Sequence, residues 1–67
     1  MKKHNRIKVV LAEKEKTNLW LATQLEKDPV TVSRWCQNTS QPSIDLLSKI
    51  AEILDVDIRE LLIPTKP

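Results

Sequence analysis

The sequence predicts an all-α domain of five short helices, on three observations. There is no glycine and no alternating run of β-branched and aromatic residues, so strands and tight hairpins have little support. Apolar residues recur three and four apart through most of the chain. Each break in that pattern carries a residue suited to capping a helix N-terminus, namely Thr17, Asp28, Ser43 and Asp57.

In the first helix, expected over about residues 5–15, Ile7, Val10 and Leu11 fall at helical spacing. Thr17 caps the second, whose stripe is Leu21, Ala22 and Leu25 and which ends near Lys27. Asp28-Pro29 starts the third, expected over about 29–37. A capping carboxylate is followed there by a proline at the first helical position, where its missing N–H costs nothing. The inward face of this helix is Thr31, Val32, Trp35 and Cys36. Residues 37–42 are turn formers and read as a loop. Ser43 caps the fourth helix, with Leu46, Leu47, Ile50, Ala51, Ile53 and Leu54 as its stripe. Asp57 caps a short fifth, containing Ile58, Leu61 and Leu62 and stopped by Pro64.

Sixty-seven residues make one domain, here 1–67 with a basic tail over 1–5 and a C-terminal tail over 63–67. The single cysteine, Cys36, excludes an intramolecular disulfide and suits a reducing, cytoplasmic setting. With one histidine as well, no metal site is expected, and nothing calls for a cofactor. No apolar run approaches a membrane span, and the stretch after the basic start is too short and polar for an export signal. Net charge is only +2, but residues 1–34 carry eight Lys/Arg against four Asp/Glu, and residues 35–67 three against five. A basic first half suits nucleic acid.

The second stripe ends at Leu25 and the third helix begins almost at once, so a turn of three or four residues must set the two at a large angle, as in a helix-turn-helix. In this segment the chain resembles the XRE family, which includes the phage repressors and Cro proteins. Leu21-Ala22 supplies the family's Leu-Ala pair, and Thr31-Val32-Ser33-Arg34-Trp35 is similar to its Thr-Ile-Ser-Arg-Trp run. Pro42-Ser43, Leu46-Leu47, Ile50-Ala51, Leu54, Val56 and Leu61-Leu62 fit its fourth and fifth helices, so the likeness covers roughly 6–62. There are departures. Glu26 stands where the family usually has glycine and Lys27 where it has an apolar residue. Cys36 replaces its acidic residue after the aromatic, and the glycine that often follows is missing. A non-glycine can hold the left-handed turn at a cost of about 1 kcal/mol or somewhat more, so the turn is expected either to bear that cost or to be reshaped or extended by a little.

The resemblance implies a compact lambda-repressor-like fold and sequence-specific binding of double-stranded DNA, as a transcriptional regulator and a repressor before an activator. In that motif the recognition helix enters the major groove while the helix before it crosses the backbone. The readers would be Pro29, Val30, Ser33 and Arg34, behind the Asp28 cap. Arg34 can grip guanine with two bonds, Val30 can meet a thymine methyl, Ser33 can bond to a base or phosphate, and Pro29 offers shape. Phosphate contacts would come from Asn18, Thr31 and the loop residues Asn38, Thr39, Ser40 and Gln41, through backbone and side-chain donors. Lys27, Arg6 and Lys8 would add salt-sensitive affinity.

Trp35 is expected in the core and Cys36 as a small buried residue without chemistry, with His4 in the tail. Trp20 reads either as half exposed against the backbone or as a partner contact. A single recognition helix buries little, so a homodimer is expected. The last helix, with Ile58, Leu61, Leu62 and Ile63, is the candidate surface, and an equal alternative is that it closes the monomer's own core. An enzyme is not expected, since nothing pairs Cys36 or His4 with a base and no glycine-rich loop could cradle phosphate. An antitoxin binding both DNA and a toxin protein remains the alternative. Such proteins commonly carry an extra toxin-blocking segment, so after Ile63-Pro64-Thr65-Lys66-Pro67 the toxin would have to meet the folded domain.

Overall fold

The computed structural model describes residues 4–63. Its elements are α1 (Ile7–Glu13), α2 (Asn18–Leu25), α3 (Pro29–Cys36), α4 (Ile44–Leu54) and a single 3-10 turn (Ile58–Leu61). Three of the α-helices start on caps that the spacing predicts. Thr17 Oγ1 accepts from the Trp20 N–H at 3.0 Å, Asp28 Oδ1 from Val30 at 2.8 Å and Ser43 Oγ from Leu46 at 3.2 Å. Each bond satisfies one of the N–H groups a helix start leaves without a partner.

The helix ends are less ordinary. All four α-helices close on a left-handed residue, directly after α2 and α4 and one position later after α1 and α3, with the next N–H turned back onto the last turn. These N–H to carbonyl bonds are Lys16 to Leu11 at 2.8 Å, Lys27 to Ala22 at 2.9 Å, Thr39 to Arg34 at 2.9 Å and Val56 to Ala51 at 3.0 Å. This closure favours glycine, because a β-carbon crowds the backbone at positive φ. Lacking glycine, the chain uses Glu15, Glu26, Asn38 and Asp55, with φ between 54° and 60°. The α2–α3 turn therefore keeps its short form with Glu26 in place of glycine.

The helices enclose one core of Ile7, Val10, Leu11, Leu21, Ala22, Leu25, Val32, Trp35, Cys36, Leu47, Ile50, Ala51, Leu54 and Leu61. The apolar stripes face inward as their spacing requires, with Leu46 and Ile53 only half-buried at the edge of the α4 stripe. Helix α2 packs chiefly on α3, and α4 lies against α2 and the terminal turn. Ala22 is buried between helices, and its small side chain permits close approach.

Two expectations need correction, and one of two open readings is decided for Leu61. The fifth helix is one 3-10 turn, closed by a capping box in which Asp57 accepts from the Arg59 N–H and Glu60 Oε2 accepts from Asp57's own N–H. Leu62 leaves this turn in extended conformation and pairs with Asn5 across an isolated antiparallel bridge. So the turn ends before Pro64, which lies outside the described residues. The first helix begins at Ile7, not residue 5, and the tail expected over 1–5 gives way at His4 and Asn5. Asn5 is 4% exposed, and the Arg6 N–H donates to the Leu61 carbonyl at 2.9 Å. Finally, Leu61 is wholly buried and closes the monomer's core, leaving Leu62, at 40% exposure, as the apolar residue this end presents outward. Of the expected C-terminal tail, Ile63 is described and half-buried.

Candidate nucleic-acid interface

The third helix divides sharply. Val32, Trp35 and Cys36 are buried, while Pro29, Val30 and Arg34 are exposed and Thr31 and Ser33 lie between. Trp35 at 4% exposure belongs to the core and offers no stacking platform. Val30, at 57% exposure, is an apolar side chain left in water one turn before Arg34. Lys27 and Asp28 are exposed in the turn that starts the helix. Among the described residues the only ion pair is Arg59 with Asp57, at 3.1 Å, so neither Arg34 nor Lys27 is neutralised by a carboxylate. The outer side of α3 therefore presents an apolar side chain in its first turn and an unpaired positive charge one turn on, with Lys27 in the turn that precedes it.

Beside α3, the start of α2 is held by a sulfur contact. The Cys36 thiol donates to Asn18 Oδ1 at 3.3 Å, which occupies the amide oxygen and leaves the amide N–H groups as donors. Burial pushes the Cys36 thiol above its usual range, with the Lys8 ammonium pulling weakly the other way, so the neutral, donating form is the one present at neutral pH. Trp20 is half-buried against the core edge, and the Lys16 ammonium sits 4.8 Å from its ring centroid, a cation–π contact that sequence spacing had left unassigned.

The loop after α3 is less free than its composition suggests. The backbone N–H groups of Asn38, Thr39 and Ser40 are consumed in closing the helix, on the carbonyls of Trp35, Arg34 and Arg34. They are not donors for a ligand, and what Thr39 and Ser40 still offer is their exposed hydroxyls. Asn38 Oδ1 accepts from the His4 and Asn5 N–H groups at 2.8 and 2.9 Å, and from Gln41 Nε2 at 3.2 Å. Asn38 Nδ2 donates to the Asn5 carbonyl at 3.3 Å. Asn5 Nδ2 in turn donates to the Trp35 carbonyl at 2.9 Å and to Gln41 Oε1 at 2.7 Å, and Asn5 Oδ1 accepts from Ile7. The sequence offers Asn38 and Gln41 as phosphate contacts and gives Asn5 no role, whereas all three are bonded to one another, with Gln41 exposed and Asn38 half-buried. A lone asparagine before a helix carries no local sign of partners thirty or more residues away.

A short, capped turn between two packed helices, with the second helix exposing polar and basic side chains, defines a helix-turn-helix domain. The Helix-turn-helix family model matches residues 10–61, and the chain belongs to that family, of the XRE type. It is also similar to a crystal structure of a candidate DNA-binding protein from Bacteroides fragilis, at 63% identity and a TM-score of 0.87, over 88% of this chain and 95% of that one. No curated protein matches it. Among the described residues no helix is long and apolar enough to cross a membrane.

Proposed function

We propose that the domain binds double-stranded DNA sequence-specifically and acts as a transcriptional regulator, a repressor before an activator, with α3 in the major groove. The observation that carries this is the outer face of α3, where Val30 in its first turn and the unpaired Arg34 one turn further on project while the opposite face is locked into the core. Arg34 reads guanine by two hydrogen bonds, Val30 meets a thymine methyl, and Pro29 and Ser33 complete the reading face. Asn18, with its amide oxygen taken by Cys36, turns its N–H groups to phosphate at the positive end of α2. Thr31 and the hydroxyls of Thr39 and Ser40 contact phosphate as well, and Lys27 adds salt-sensitive affinity. The neighbour described as DNA-binding, two-thirds identical or nearly so, supports the same partner.

One α3 reads few base pairs, so the functional unit is a homodimer on two half-sites about 34–36 Å apart. The exposed Leu62 with the half-buried Ile58 and Ile63 forms its surface.

Selection of bound sequences from random duplex DNA tests the proposal. The wild type is expected to enrich a two-part site, and Arg34→Ala to lose preference at one base pair per half-site, about 1–3 kcal/mol of discrimination. No enrichment by the wild type overturns the function, and an unchanged preference in Arg34→Ala overturns that residue's role.

A further inference from the structure

We propose that Asn5, Asn38 and Gln41 form a positioning lock that holds the loop after α3 against the end of the recognition helix, and that Asn38 and Gln41 act on DNA through this lock and not as phosphate ligands. The inference rests on the DNA-binding reading and assigns new roles to residues of the same site. Its hub is Asn5, which is almost wholly buried and has every amide atom engaged. Both N–H bonds of Nδ2 reach across to α3 and the loop, to the Trp35 carbonyl and Gln41 Oε1, and Oδ1 takes the first N–H of α1. A buried amide so satisfied is expensive to disturb, because losing one partner strands the other in a dry site.

Asn38 completes the lock from the other side. Its left-handed backbone turns the chain out of α3, and its amide oxygen gathers the His4 and Asn5 N–H groups and the Gln41 amide. An acceptor already serving three donors is a poor candidate for a further role, and a phosphate, itself an acceptor, gains nothing from it. The Nδ2 group is likewise turned toward the Asn5 carbonyl. Thr39 and Ser40, next in the chain, have their backbone N–H groups folded onto Arg34, so the placement of their hydroxyls follows the placement of Asn38. The lock thus spans 33 residues of sequence to set the exit of the recognition helix. It works on DNA from a residue, Asn5, that DNA cannot reach.

A double-mutant cycle on DNA affinity, using duplex selected by the wild type, separates positioning from contact. Glycine at position 38 keeps the left-handed turn and deletes the side chain, so Asn38→Gly removes the lock without forcing the backbone. Asn5→Ala removes the hub. Each is expected to weaken binding about tenfold, as for one lost hydrogen bond to a charged phosphate, and the double variant by about the same tenfold. Affinities are read well below each variant's melting midpoint, because a merely structural lock would lower the midpoint and leave the affinity of the folded protein unchanged. If Asn5→Ala does not fold, Asn38→Gly with the exposed Gln41→Ala runs the same cycle, with the same non-additive result expected. Losses that multiply to about a hundredfold in the double variant overturn the lock, because independent phosphate contacts add in free energy. Single variants that bind as the wild type does overturn it too. Failure of the wild type to select any duplex overturns the DNA-binding reading, and the lock's role with it.

Discussion

Replacing Glu26 with glycine should make this domain more stable, although it deletes a whole side chain. Glu26 ends α2 at φ 54° and ψ 42°. For an L-residue that conformation brings the β-carbon against the following carbonyl oxygen and costs about 1–2 kcal/mol. Glycine avoids the clash but gives up more backbone freedom on folding, worth about 0.5–1 kcal/mol against alanine. Around the middle of these two ranges the difference leaves Glu26→Gly ahead by about 0.5–1 kcal/mol. The helix-closing bonds come from the backbone of Glu26 and Lys27 and survive the change. In a domain of this size 1 kcal/mol moves the melting midpoint by about 4–8 °C, so the expected rise is about 2–8 °C. Thermal and urea unfolding followed by circular dichroism would measure it, with Glu26→Ala and Glu26→Gln as controls that keep the β-carbon and remove the charge. A midpoint for Glu26→Gly no higher than that of Glu26→Ala would refute the reasoning, since it would assign the effect to charge or to the side chain and not to φ.

The core should be far less forgiving. Ile50 is wholly buried, so Ile50→Ala should cost about 2–5 kcal/mol and leave much of the protein unfolded at 37 °C, while Ile50→Val costs about 0.5–1.5 kcal/mol; equal midpoints for the two would contradict the packing. Hydrogen bonds from the Arg59 side chain and backbone hold the Asp57 carboxyl below the ordinary carboxylate range. On acidification the unfolded chain therefore takes up this proton first, and the contribution present above about pH 4 is lost as pH falls through the lower folded value. Asp57→Asn, which keeps a capping oxygen but does not titrate, should flatten the acid limb of the stability curve, and a limb unchanged in slope would remove Asp57 from it. The Cys36 thiol, raised by burial, should react with an aromatic disulfide reagent far more slowly than a free thiol at pH 8 and reach the free rate only in denaturant. Fast labelling of the native protein would show that the thiol is not held as described.

Much of the outer side of α3 was legible from local pattern. Asp28-Pro29 placed the start of α3 correctly because a cap and a proline act within one turn of the chain. The spacing of Val32 and Trp35 then decided which side of that helix faces inward, and so which side exposes Val30 and Arg34. Glycine's absence could be read directly, but whether Glu26 holds the left-handed turn or the turn is reshaped could not, and the structure has Glu26 at φ 54°. The internal bonding of the loop was not legible, for a physical reason. Asn, Thr, Ser and Gln are polar in either setting, and composition does not tell a side chain facing water from one bonded inside the protein.

What the sequence alone determined about this protein is where α2, α3 and α4 start and which of their faces are buried, because caps and apolar periodicity act over a few residues. The tertiary structure decided the rest. It reduced the last helix to a 3-10 turn, since Leu62 gains a partner in Asn5 by leaving it extended. It also drew His4 and Asn5 into the body and turned Asn38 and Gln41 toward them. Those partners lie more than thirty positions apart in the chain, and only the packing of α1 beside the end of α3 brings their hydrogen-bonding groups within reach.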